Sequence, residues 1–487
     1  MPQCLKRNGR AIVGDYSRYH KRSCQLDYLR NGDITPALFA RPDSVLHCAD
    51  PSRGLGVPFV RAIGRWTMTA LVINCIIGNA IFGTPSELTR LLGRASPISM
   101  IIGGLVMAVA ILCFAEVASQ FSEPGGSYLY VRTAFGRFAG IQVGWFALLA
   151  PIGGGAANAS LFMIYMAGFF PWTGHGIQRI LLLGMLISVP TLANYIGIRR
   201  GATLNNFLTV VKLMPLALLI TLGMMRFGRH FELIQMNEVT RPGLGAWLSA
   251  LLILIFAYGG LENALIPAGE VKDPRHTVPF ALLAGLLGCI VIYTLVQFVT
   301  VATIGASPTN RPLAETASVL IGSGGRTFVT LAVMISTYAW LSGGILNVPR
   351  LACSLAAQGD TPAFFGKLHP SFNTPSADIL LYAALIWLLA ATGTYLWLAA
   401  LTAGATIIIY SATCAALIQL RRQHPHADAL RIPLGRWLAV LAIIIWLSVL
   451  TRLHARELLL MGITALIASA NWWWAKRREN QIQRPLP

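Results

Sequence analysis

Ile76-Ile77-Gly78-Asn79-Ala80-Ile81-Phe82-Gly83-Thr84-Pro85-Ser86 interrupts the first long apolar stretch of the chain, which runs in from Trp66 and leaves near Leu92. A membrane helix closes its backbone hydrogen bonds within the segment, because lipid offers no replacement partners. Gly78, Gly83 and Pro85 weaken that closure. Open backbone at membrane depth is tolerated only where it is buried in protein or lines a cavity. The stretch therefore reads as a site. The plainer alternative is a closely packed helix, since glycine is common in membrane spans.

Outward from this break the composition is that of a membrane protein. Hydrophobic residues make up 55% of the chain and charged residues 12%, where soluble proteins carry about 25% charged residues. Apolar runs of about 20 residues, each enough to cross roughly 30 Å of hydrocarbon, recur to the end. The pattern predicts an all-α polytopic membrane protein with twelve spans, near 66–92, 96–119, 137–167, 178–197, 203–226, 245–268, 276–304, 327–356, 377–394, 396–420, 435–451 and 457–475. Only Gly393 and Thr394 mark the turn between the ninth and tenth. Residues 1–60 are basic and read as a disordered cytoplasmic tail. The transmembrane domain is expected over 61–475, with one repeat at about 66–226, a second at about 245–420 and peripheral helices at about 435–475. Residues 476–487 form a short cytoplasmic tail.

The net charge of +19 invites nucleic acid as a partner, but the basic residues sit in tails and short loops, as membrane topology requires. With the N-terminus inside, the inner loops and C-terminal tail hold 16 Lys and Arg, the outer loops hold 10, and 11 more precede Trp66. That bias puts both ends in the cytoplasm. The eight cysteines are scattered; Cys75, Cys113, Cys289, Cys353 and Cys414 lie in or beside apolar spans, and neither a disulfide frame, a metal site nor a cofactor is indicated.

A second break falls in the sixth span, where Gly259 and Gly260 interrupt Leu251–Ala264 and Glu262 follows at once. The first break starts about twelve residues into its span and the second about fourteen, so at 1.5 Å per residue both lie near the midplane. Paired interruptions in corresponding spans are the best sequence pointer to a transporter's binding site. Five spans per half, an odd number, inverts the second half relative to the first.

The chemistry follows from the exposed helix ends. A half-helix N-terminus offers free N–H groups and partial positive charge, and a C-terminus offers carbonyls and partial negative charge. Amides of Gly78, Asn79, Ala80 and Ile81, next to Ile77, are expected to hold a carboxylate. Carbonyls of Phe256, Ala257 and Tyr258, next to Gly259, are expected to hold an ammonium group. Lys212 lies about nine residues, roughly 14 Å, into the fifth span, too deep to reach the surface easily, and reads as paired or functional. It can stand where a coupling cation would otherwise bind, or titrate. Glu262 is expected to brace the second break or relay protons. Glu116, near the inner end of the second span, reads as a solvated carboxylate. Asp273 and Arg275 read as a loop contact. Tyr258, Tyr338 and Trp340 are gating candidates, with packing the alternative. Trp472 to Trp474 read as an interface belt.

Ile77-Gly78-Asn79-Ala80-Ile81-Phe82-Gly83-Thr84-Pro85-Ser86 resembles the first-helix signature of the amino acid–polyamine–organocation transporter superfamily, with Ala80 in place of that signature's second glycine. Phe256 to Glu262, followed by Ala268-Gly269-Glu270-Val271-Lys272-Asp273-Pro274 and Pro279, is similar to the family's sixth helix and inner loop. Glu116, Pro124 to Tyr128, Tyr130 and Ala134-Phe135-Gly136 resemble the loop after its second helix. Asn206 to Lys212 resembles the start of the fifth, and Pro349-Arg350, Gly359-Asp360, Pro362 and His369-Pro370 the inner end of the eighth. The resemblance covers about residues 60–420. It implies two inverted five-helix repeats with discontinuous first and sixth helices, two peripheral helices, alternating access, and amino acids or close relatives as substrates. It also implies that Lys212 occupies the place beside the first and fifth helices where sodium-coupled relatives hold a cation.

The expectation is a secondary transporter of amino acids in the cytoplasmic membrane, sodium-independent, working by proton symport or exchange, with the lipid bilayer and protons as its other partners. A polyamine or amine–amino acid antiporter is the alternative, although spans one, three, eight and ten offer no acidic residue at mid-depth. A sensor built on a transporter scaffold is a further one, supported by the long tail. An enzyme is disfavoured because no span pairs His with Asp or Glu at ligand spacing.

Overall fold

Helix α1 (Arg65–Ile76) stops where the glycines begin, and the chain coils again as α2 (Ala80–Gly83) and α3 (Pro85–Leu92). Thr84 bridges these two pieces with near-helical backbone (φ −94°, ψ −19°), and Pro85 opens α3, where its missing N–H costs nothing. The computed structural model describes residues 64–121, 126–197, 201–229, 242–260, 271, 273–305, 307–372, 374–423 and 430–482; the expected N-terminal tail and Glu262 lie outside them. Further helices follow in order: α4 (Ser96–Ala118), α5 (Gly126–Phe135), α6 (Arg137–Met166), α7 (Gly176–Ile196) and α8 (Gly201–Arg229). After these come α9 (Leu244–Tyr258), α10 (Pro274–Ile304), α11 (Pro312–Ala357), α12 (Ser376–Thr392), α13 (Tyr395–Gln423), α14 (Gly435–Leu450) and α15 (Ala455–Ile482).

Every predicted span carries a helix. Among the described residues, eight helical segments are long and apolar enough to cross a membrane, and α9, α12 and α14 are shorter apolar helices. The turn at Gly393 and Thr394 separates α12 from α13 as expected. The largest difference is in α11, which begins at Pro312, well before residue 327, and kinks at Ile321 and Gly322; α15 also runs past residue 475 to Ile482. Gly322 has φ +74°, a conformation that suits glycine and redirects the helix axis. Helix α7 shows what the bilayer demands: Ile177, Leu181, Met185, Val189, Leu192 and Ile196 are all exposed, an apolar stripe that water would not tolerate and lipid covers.

The packing pairs reveal the internal symmetry. Helix α1 packs on α10 and α9 on α4; α6 packs on α13 and α11 on α8. Exchanging the first five spans for the second five turns each of these pairs into the other. Three further pairs, α4 with α10, α6 with α11 and α7 with α12, map onto themselves. Small residues allow the close approaches that lipid-exposed bundles rely on: a Cβ on Gly285 of α10 would sit 2.6 Å from Val72, and one on Gly103 of α4 would sit 2.8 Å from Leu254.

The face at which α1 begins (the near face) is braced by two buried carboxylates. Glu116 is 1% exposed and accepts from Arg421 at 2.5 and 2.6 Å and from the Ile432 amide at 3.0 Å. The expectation of a solvated carboxylate is therefore overturned: α13 and the strand of chain before α14 cover it and supply the donors that a buried charge needs. Asp360 is fully buried and binds Arg137 at 2.6 Å, with Arg132 at 3.4 Å and the Tyr128 hydroxyl also on it. Burial, with Asp360 beside it, pushes the Tyr128 phenol well up, so it stays a neutral donor. Asn471 of α15 donates to the Asp360 carbonyl at 2.6 Å. One residue thus ties α5, α6, α11 and α15 together. At the start of α10, Asp273 contacts His276 at 2.8 Å; the Arg275 side chain lies outside the described residues.

Candidate functional site

At the first break the Gly78 amide turns back to the Ile76 carbonyl at 2.7 Å, and the Ile77 amide donates to Ile73 at 2.8 Å. Helical bonding resumes with the Thr84 amide on the Ala80 carbonyl at 2.9 Å, reinforced by the Thr84 hydroxyl at 2.8 Å. Between these, the amides of Asn79, Ala80 and Ile81 have no acceptor among the described residues. Three of the four expected donors are thus open, and Gly78 is engaged within the turn. Ala80 lies outside the positive-φ set and opens α2, so its Cβ is no obstacle to the break. Ile77 and Ile81 are fully buried beside it.

The second break follows α9. Gly259 continues in extended backbone (φ −66°, ψ 170°) and Gly260 stands at φ +97°. A Cβ on Gly259 would fall 2.9 Å from the Ile255 carbonyl oxygen, so close approach excludes a side chain at 259, and the left-handed backbone favours glycine at 260. Phe256, Ala257 and Tyr258 form the last turn of this helix. The Tyr258 hydroxyl points away, donating to Met100 of α4 at 2.9 Å, so only its backbone remains at the site.

Tyr293 of α10 joins the two breaks. Its hydroxyl lies 3.0 Å from the Ile76 carbonyl and 3.2 Å from that of Ala257. The C-terminal ends of both half-helices are therefore held within reach of one hydroxyl. Sequence reasoning missed this residue, because a lone tyrosine in an apolar span reads as packing. Trp340 covers the first break: its indole would be 3.6 Å from a Cβ on Gly78 and 3.1 Å from one on Gly154. Tyr338, half-buried, lies two residues earlier on α11, about 200° around the helix, so the two gating candidates do not meet at one surface.

Lys212 is 7% exposed and its Nζ donates to the Asn74 carbonyl at 2.7 Å. Asn74 belongs to the last turn of α1, so the ammonium sits at the negative end of that half-helix. Two buried amides have unpartnered atoms among the described residues: Asn79 its Nδ2, and Asn158, which donates to Gly154 at 3.0 Å, its Oδ1. Toward the far face, where α3 ends, the Tyr165 hydroxyl holds the Phe82 carbonyl at 2.8 Å. The Tyr395 ring presses on Gly83, where a Cβ would lie 2.6 Å away, and meets Phe256 edge-on at 6.2 Å. These aromatics close the far side of the break, and none was singled out by sequence reasoning except Phe256.

A helical bundle with a split first helix, opposed to the end of its symmetry mate around midplane peptide groups, has the architecture of a membrane transporter. The fold agrees: Mhp1, a nucleobase-cation-symport-1 family transporter solved in a closed conformation with bromovinylhydantoin bound, superposes with a TM-score of 0.55 at 16% identity, over 89% of this chain and 97% of that one. Residues 63–474 match the family model described as Amino acid permease, and the chain belongs to that family. It is 27% identical to the serine/threonine exchanger SteT of Bacillus subtilis (strain 168), over 84% of this chain and 95% of that protein. It is also 27% identical to the large neutral amino acids transporter small subunit 2 of Oryctolagus cuniculus, over 77% of this chain and 72% of that one.

Proposed function

We propose that this permease carries a neutral, zwitterionic amino acid across the cytoplasmic membrane by alternating access, without sodium, as an exchanger or proton symporter. Both termini are cytoplasmic in this reading, which makes the near face the inner one. The carrying observation is the pair of opposed, incompletely satisfied chain ends. Amides of Asn79, Ala80 and Ile81, with the Asn79 side chain, receive the carboxylate. Carbonyls of Phe256, Ala257 and Tyr258 receive the ammonium group. Tyr293 keeps the two ends at a fixed separation, and Trp340 forms the wall that must move. Lys212 stands beside α1 as a tethered cation, which argues against a sodium ion there. The charged side chain brought to the break is thus basic, which disfavours a polyamine. The names of the serine/threonine exchanger and the large neutral amino acids transporter support a neutral amino acid as substrate, and the first of them supports exchange.

The test is uptake of labelled serine into proteoliposomes by wild type, Gly78→Val and Gly259→Val at matched protein. The expected result is loss of uptake in both variants with normal insertion. Unaltered uptake in both contradicts the reading.

A further inference from the structure

On the far face, between the end of α6, the start of α7 and the loop into α11, lies a cavity of about 270 Å³ lined by Met163, Ile164, Ala167, Arg179, Asn310 and Arg311. It falls just short of the roughly 300–1,000 Å³ typical of drug-sized ligands. Neither arginine takes part in the break.

Arg179 is fixed by the last turn of α12 and by α6. It donates to the carbonyls of Ala390 at 3.0 Å and Ala391 at 3.4 Å and to Ser160 Oγ at 3.3 Å. A guanidinium has five N–H groups, so two remain without a partner among the described residues. No salt bridge forms at Arg179 among the described residues. The Arg311 guanidinium makes no hydrogen bond among them; Glu315 stands 3.9 Å away and is held at 2.7 Å by Arg326. The backbone makes room for Arg311, since a Cβ on Gly168 would collide with its Nη1. Two guanidiniums therefore share one small cavity with donors unused and with less than one carboxylate between them.

The lining also includes the apolar Met163, Ile164 and Ala167. Planar, bidentate donors suit carboxylates, and the apolar lining suits a short hydrocarbon body. A halide would use the charge and leave that lining facing water. We propose that this cavity is a second ligand site, taking a small aliphatic monocarboxylate, distinct from the break between α1 and α9.

Equilibrium binding of labelled propionate to the purified full chain tests this, with propylamine and chloride as competitors. Saturable binding to wild type is expected, weakened roughly tenfold or more in Arg311→Gln, the loss of one charge-assisted contact. The double variant Arg179→Gln/Arg311→Gln should lose it altogether. Gly259→Val should keep wild-type affinity, and neither competitor should displace propionate. Arg311→Gln is the variant of first choice because its guanidinium makes no hydrogen bond among the described residues and only a 3.9 Å ion pair with Glu315, and retained serine uptake shows that it is folded. No saturable binding, equal affinity in Arg311→Gln, loss in Gly259→Val, or displacement by propylamine or chloride would each overturn the site. Binding is read without transport, so failure here is distinguishable from failure of the transport reading.

Discussion

The hydroxyl of Tyr293, with one hydrogen to donate, lies within reach of carbonyls at the ends of both α1 and α9. Tyr293→Phe removes it and leaves one or both carbonyls short of a donor, a cost of about 1–3 kcal/mol. The expected outcome is a serine KM raised about tenfold with protein level unchanged; an unchanged KM would count against the bridge. Gly83→Ala places a methyl group into the Tyr395 ring, an overpacking cost of about 1–3 kcal/mol. It should lower the thermal midpoint and the uptake rate together. The residue scale also shows what the chain discloses by itself. Lys212 was legible because a cation in an apolar span has few explanations, and Gly78 and Gly259 because glycine pairs are conspicuous. Tyr293, Tyr165 and Tyr395 were not, since their roles depend on which carbonyl or glycine a distant helix presents, and aromatic residues in spans usually pack.

At the scale of elements, the near face is held by buried charges and the far face by aromatic contacts. Removing one partner of a buried ion pair leaves the other uncompensated, at about 3–5 kcal/mol. Glu116→Gln should therefore destabilise the contact of α4 with α13 by about 3 kcal/mol, since Arg421 keeps some exposure. Thermal unfolding in detergent checks this, and a midpoint within error of wild type would mean the pair contributes little. Helix positions were readable from apolar length alone, down to the turn at Gly393. The early start and kink of α11 were not, because the stretch from Pro312 to Gly322 mixes polar and apolar residues and its direction is set by the φ of Gly322. Glu116 was misjudged for a related reason: nothing near it in sequence announces that Arg421 will arrive across the bundle.

At the scale of the molecule, the packing pairs exchange between the two five-helix halves, the symmetry that the proposed alternating access would use. In the proposed mechanism Lys212 replaces a coupling cation. Serine uptake should then be the same when external sodium is replaced by choline, and should fall about tenfold or more in Lys212→Met, which removes the tether to Asn74. A requirement for a sodium gradient would overturn that part of the account. The central claim is that bare peptide groups recognise both charged ends of the substrate, and competition against labelled serine tests it most directly. Serine methyl ester lacks the carboxylate and N-acetylserine lacks the ammonium group. Both should fail to compete at concentrations where unlabelled serine abolishes uptake. Competition by either one as strong as that of serine itself would contradict the account.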